Sequence, residues 1–197
     1  MQTLKEVRVE IEGIRPLILH NGLLADPTNE TVRAMKRITA KKNKKTDADN
    51  EELARLEWLG GWYLNADGRP YIPAANIERM VLDGARKLRL GKDCQAAVFC
   101  EEDQVALQHD ELDGKKVEKL AGDPRFAIRC GVVVTQKRII RVRPMVPTGW
   151  RLVFRLNYDS GVINLSSIRQ AITDAGMLCG LGDWRPKFGR FTAKFSE

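Results

Sequence analysis

Two helical stretches, each followed by strand-like sequence, constrain this chain more than any other feature. Ile77, Val81, Ala85 and Leu88 recur at helical spacing over residues 74–90, with Met80 and Leu82 beside them. Ile168, Ala171, Ile172 and Ala175 repeat the pattern over 166–178, where Asn164 or Ser166 can cap the helix. Elsewhere the period is two. Val7, Val9 and Ile11 alternate with Arg8, Glu10 and Glu12, and Trp150, Leu152, Phe154 and Leu156 alternate with Arg151, Val153 and Arg155. A stretch at 128–143 is also β-rich, and Phe191–Phe195 closes the chain as a short strand.

Taken in order, these elements read β-α-β-β-α-β once insertions are set aside. That order predicts an α+β fold, a ferredoxin-like, RRM-like core in which both helices cover one face of an antiparallel sheet. The other face stays open. On the expected pairing of 128–143 with 150–157, it carries Arg141, Arg143, Arg151 and Arg155. Four arginines on an open face make a basic platform suited to phosphates. Acids from a loop or partner that balance those charges are the alternative. No pair of aromatics for stacking bases is evident on that face, so backbone contact is expected to outweigh base reading.

One domain of 197 residues is expected, with two interruptions. Residues 21–65 read as a helical insertion. Asp26 and Pro27 look like the N-cap and first position of its first helix. Seven cations and no acid lie between Arg33 and Lys45, ending in the lysine-rich tip of Lys41, Lys42, Lys44 and Lys45. An acidic, amphipathic segment follows at 47–59. Residues 93–125 form an irregular insertion with short strand-like pieces near 96–100 and 105–107 and a hairpin-like turn at 113–116.

Composition narrows the chemistry. The formal charge of +7 favours an anionic partner. The cysteines 94, 100, 130 and 179 include no C-x-x-C pair, and the histidines are His20 and His109, so no metal site and no disulfide is expected. Cys130 and Cys179 read as small core residues. No apolar run reaches membrane-spanning length and the N-terminal residues do not resemble a secretion signal, so a cytoplasmic protein with no membrane partner is expected. There is no phosphate loop, dinucleotide fingerprint or serine-hydrolase elbow, and no cofactor is expected.

The stretch from Gly180 to Arg190 is the other informative segment. It sets Gly180, Gly182 and Gly189 among Arg185, Lys187 and Arg190, between a helix and a strand. Glycines permit close backbone approach. The expectation is a phosphate-backbone contact, with the glycines making room for phosphates. Trp184 and Phe188 are read as core anchors rather than stacking residues.

The segment Arg69-Pro70-Tyr71-Ile72-Pro73-Ala74-Ala75-Asn76-Ile77-Glu78-Arg79 resembles the P-x-I-P-G-S-S-x-x-G approach to the first helix of RAMP-superfamily proteins, the RNA-binding proteins of CRISPR effector complexes. Here Ala74-Ala75-Asn76 stand where Gly-Ser-Ser is usual. The glycine-rich stretch resembles that superfamily's C-terminal loop. The resemblance implies an oligomer packed side by side along single-stranded RNA, or joined to other effector-complex subunits. It implies contacts from Asn76, Arg79 and the 180–190 loop, and a finger or thumb built from the 21–65 insertion. A stand-alone or mobile-element-borne relative is one form it can take.

Three functions follow as alternatives. The first is a non-catalytic subunit binding single-stranded RNA or single-stranded DNA. The second is a RAMP-type endoribonuclease that uses Asp26 or His20. The third is a protein-interaction module without nucleic acid, docking through the 50–60 helix with Trp58, Trp62 and Tyr63.

Overall fold

The computed structural model describes residues 4–113, 115–134 and 136–196. Strand β1 (Leu4–Gly13) buries Val7, Val9 and Ile11 and leaves Glu6, Arg8 and Glu12 exposed, as its alternation dictates. Pro16 then breaks the chain away from that sheet, and β2 (Leu17–Ile18) pairs elsewhere.

Helix α1 (Glu30–Thr39) begins three residues later than expected. Its N-cap is Asn29, whose side chain accepts from the Thr31 and Val32 amides. Asp26 does not cap it: its carboxylate closes a local turn by accepting from the Thr28 amide and hydroxyl. Helix α2 (Asp47–Gly60) starts with a reciprocal capping box between Thr46 and Asp49.

Strand β3 (Tyr71–Pro73) leads directly into α3 (Ala74–Lys87), which buries Ile77, Met80, Val81, Gly84 and Ala85. Helix α4 (Gly91–Ala97) and strands β4 (Val98–Cys100) and β5 (Gln104–Ala106) occupy the stretch that sequence reading left irregular. The turn expected at 113–116 includes Gly114, which lies outside the described residues. A hairpin follows, β6 (Ala127–Val134) and β7 (Lys137–Val146), then β8 (Arg151–Asp159). Helix α5 (Leu165–Asp174) is capped by Asn164 through the Ser167 amide and runs into a π-helical turn at Ala175–Cys179. Strand β9 (Phe191–Ser196) ends the described chain.

The main sheet has the order β4-β8-β1-β9, all antiparallel. Leu152, Phe154, Leu156 and Tyr158 of β8 join the inward side chains of β1 beneath α3 and α5 in one apolar core. The two helices touch closely where Gly84 meets Ala171. A Cβ at Gly84 would lie 1.9 Å from the Ala171 carbonyl oxygen.

The element pairing differs from the sequence expectation in one respect. Opposite β1, the second neighbour of β8 is the three-residue β4, not the stretch 128–143. The long β6–β7 hairpin belongs to a second sheet of order β2-β7-β6. A three-residue strand is too short to show alternation, whereas Arg138–Arg143 of the hairpin alternates, so periodicity favoured the wrong segment. Helix α2 is fastened to this second sheet. Glu57 accepts from the Arg141 guanidinium at 2.6 Å and from the Val142 amide at 2.9 Å, and the Trp58 indole donates to the Phe126 carbonyl at 2.7 Å.

Cys130 and Cys179, expected in the core, lie at its margin. Cys94 and Cys100 are buried, whereas Cys130 and Cys179 are half-buried. Burial pushes the thiols of Cys94 and Cys100 up to about 11 and about 12.

Candidate nucleic-acid interface

The α3 sequence spaces Arg79, Asp83 and Arg86 four and three residues apart, so all three meet on one exposed helix face. Asp83 sits at the centre. Its Oδ1 accepts from Arg79 Nε and Arg86 Nη1, each at 3.0 Å, and its Oδ2 accepts from Arg185 Nη1 of the 180–190 loop at 3.1 Å. Three guanidiniums against one carboxylate leave two positive charges in excess. The carboxylate holds the guanidiniums in place, and the outer donors of the Arg79 and Arg86 side chains, 57% and 51% exposed, face solvent. A guanidinium has five donors, so one ion pair leaves most of them available for a phosphate.

Two concavities adjoin this cluster. A cleft of about 170 Å³ is lined by Leu19, His20, Tyr63, Asn76, Arg79, Leu181, Gly182, Asp183 and Arg185. A wider groove of about 770 Å³ is lined by Asp83, Arg86, Lys87, Leu178, Cys179, Gly182, Asp183, Trp184, Arg185 and Pro186. They share Gly182, Asp183 and Arg185. Residues as far apart in sequence as Leu19 and Pro186 thus form one basic path from the end of β2 to the last turn of α3.

The loop itself is a closed structure. Leu181 donates to the Gly189 carbonyl, Gly189 to Pro16, Gly180 to Ala175 and Asp183 to Ile18. These amides are therefore spent inside the protein. Gly180, Gly182 and Gly189 all have positive φ, and an added Cβ would meet the Phe188, Ile18 and Leu181 carbonyl oxygens at 2.7, 2.4 and 1.8 Å respectively. The glycines let the loop pack on itself and on β2. The expectation that they clear room for phosphates is corrected: the space beside each is filled by protein backbone.

The expected platform of four arginines is not assembled. Arg141 pairs with Glu57 on the second sheet. Arg143 pairs with Asp183 and lies with its guanidinium carbon 5.1 Å from the Trp184 ring centroid. Of these four, Arg151 and Arg155 lie on the open face of the main sheet, where Arg8 of β1 stands opposite Arg155. There Arg151 pairs with Asp110, and Arg155 pairs with Glu102 at 2.9 Å and approaches Glu6 at 3.8 Å. Glu6, Glu10 and Glu12 stand across from that strand in the register. The acids balance the face, and its separation from β7 follows from the β4 pairing.

Other predicted residues fall in several places. Lys41, Lys42, Lys44 and Lys45 are exposed around the turn between α1 and α2, with Lys41 paired to Asp49 at 2.5 Å. Lys187 is exposed, and its ammonium lies 5.6 Å from the Phe188 ring centroid. Arg190 Nε donates to the Pro186 carbonyl. None of these six lines the cleft or the groove. Asn76, Arg79, Gly182 and Arg185 do, and so does His20. Asp26 is not among the cleft residues, so the two proposed catalytic groups do not share that site. Desolvation and then the Arg143 guanidinium hold His20 below its ordinary pKa, which keeps the imidazole neutral near pH 7.

Sequence reading missed Asp83, Arg86 and Lys87 as site residues. Their signal was the charged face of α3 opposite its apolar stripe, which is ordinary for a surface helix until the loop is folded against it. Among the described residues no group of three or more metal-ligating side chains occurs. None of the described helices is long and apolar enough to cross a membrane.

No protein-family model matches the sequence, and no curated protein matches it. Among solved structures the chain is similar to Cmr6 from Pyrococcus furiosus at 12% identity, over 98% of this chain and 100% of that one, with a TM-score of 0.41. A likeness that loose carries no argument about fold or function.

Proposed function

We propose that this protein is a non-catalytic subunit that binds single-stranded RNA through its sugar-phosphate backbone, in the path formed by the cleft and groove beside α3. The observation that carries this reading is the Asp83 cluster, in which one carboxylate orients Arg79, Arg86 and Arg185 along a continuous concave surface. Such a cluster is preorganised for phosphates, since its side chains are already held before the ligand arrives. The two segments that resemble RAMP-superfamily motifs, 69–79 and 180–190, both contribute to this cleft, which supports the same reading.

On this reading the core is a ferredoxin-like plait built from β1, α3, β4, β8, α5 and β9. The α1–α2 insertion, with its lysine-rich turn, is the finger that reaches along the RNA or to a neighbouring subunit in a side-by-side assembly. The neutral His20 in the cleft is a contact residue rather than an acid.

The test is binding of a labelled single-stranded RNA 20-mer to the full chain. Arg86→Glu combined with Arg185→Glu is expected to abolish binding, while Arg151→Glu, on the charge-balanced sheet face, retains it. RNA recovered intact after incubation with Mg²⁺ fits a non-catalytic subunit. Retention of binding in the double variant removes the proposed path, and cleavage that His20→Ala stops makes the protein a nuclease.

A further inference from the structure

The groove beside α3 is lined by more than charge. Three of the four tryptophans belong to the core: Trp58, Trp62 and Trp150 are 3%, 2% and 0% exposed. Trp184 is the exception. It is half-buried and forms part of the groove wall with Arg86, Lys87 and Arg185. Leu178, 54% exposed, adds an apolar surface to the same groove.

The indole is also held in place. Trp184 has φ of 52°, a left-handed backbone that a bulky side chain rarely adopts. The Arg143 guanidinium lies against its ring, fixed in turn by Asp183, and the Phe188 ring packs at 6.2 Å with a 44° tilt. A strained backbone persists only where its surroundings over-determine it. Here they fix a large aromatic ring that does little for the core and borders a row of cations. Aromatic rings beside a backbone-binding groove take bases by stacking, with little regard for base identity.

We propose that the Trp184 indole is the stacking platform for one nucleobase of the bound strand, with the adjoining phosphate on the Arg86 and Arg185 side of the groove. This rests on the RNA-binding reading above and adds to it a base contact that sequence reading assigned to the core. It makes the protein a reader of the presence of a base, in addition to the charge of the backbone.

The test compares three probes on the full chain: oligouridylate, a ribose-phosphate oligomer of the same length without bases, and inorganic polyphosphate. Trp184→Ala is expected to weaken oligouridylate binding about 5- to 150-fold, the range for loss of one stacked base. It should leave polyphosphate binding within about twofold, and Trp184→Phe should restore most of the loss. In the unaltered protein, oligouridylate is expected to quench tryptophan emission, and the baseless oligomer to bind without that quenching. Equal loss for all three probes in Trp184→Ala means the ring only organises the loop, and overturns the proposal. So does equal quenching by the two oligomers, which needs no variant to fold. If the unaltered protein binds none of the probes, the RNA-binding reading itself fails.

Discussion

The salt dependence of binding is the sharpest consequence of the Asp83 cluster. The cleft and groove present four cationic side chains, Arg79, Arg86, Lys87 and Arg185. Each phosphate contact on a single strand contributes about −0.7 to the slope of log K against log salt, so four contacts give about −2.8. A rise from about 50 to about 200 mM salt then weakens binding roughly 50-fold. Arg86→Gln combined with Arg185→Gln removes two of the four and leaves a slope of about −1.4, or roughly sevenfold over the same range. Asp83 keeps Arg79 as a partner in that variant, so no carboxylate is left unpaired. Fluorescence anisotropy of a labelled oligouridylate 20-mer across that salt range measures both slopes, with thermal unfolding as the control for folding. An unchanged slope in the double variant refutes the assignment of these residues to phosphate contact.

Three further outcomes are expected. His20 has its pKa lowered by desolvation and by Arg143, and a bound phosphate must raise it. By NMR its titration midpoint therefore lies below about 6.5 without RNA and moves up with it, and affinity grows as pH falls through that range, a trend that His20→Gln flattens. A midpoint unmoved by RNA shows that the ring does not meet the strand. Gly189→Ala puts a Cβ on the Leu181 carbonyl at a φ of 69°, which is expected to cost more than the ordinary penalty of about 1–2 kcal/mol for a left-handed residue; a melting temperature equal to that of the unaltered protein contradicts the closed-loop description. Cys94 and Cys100, pushed up to about 11 and about 12 by burial, hold almost no thiolate at pH 8. A thiol reagent should reach Cys130 and Cys179 first, and equal rates at all four positions would contradict the burial pattern.

Much of the architecture was legible because period and burial coincide. The alternation of β1 and β8 and the stripes of α3 and α5 are long enough to declare which side faces the core. Strand β4 was legible only as a strand-like piece near 96–100, and its place beside β8 was not. Val98–Cys100 is three residues long and directly follows α4, so neither alternation nor a turn marks it. Giving its place to 128–143 moved Arg141 and Arg143 onto the wrong sheet. For the site, charge was legible and pairing was not. Arg141 and Arg155 are tied up by Glu57 and Glu102, which lie 84 and 53 residues away along the chain. Arg79 and Arg185 were identified as cations in the sequence, but the carboxylate that joins them through Asp83 became visible only once the loop had folded against α3. The loop glycines carried the right weight for a different reason, since their carbonyl neighbours lie inside the protein.

Ultraviolet crosslinking of the full chain to a 4-thiouridine-containing RNA, followed by peptide mass spectrometry, tests the RNA path most directly. Crosslinks concentrated in 74–87 and 180–190, with Trp184 among them, are the expected result. Crosslinks confined to the open sheet face, at 6–12 and 151–157, would contradict it.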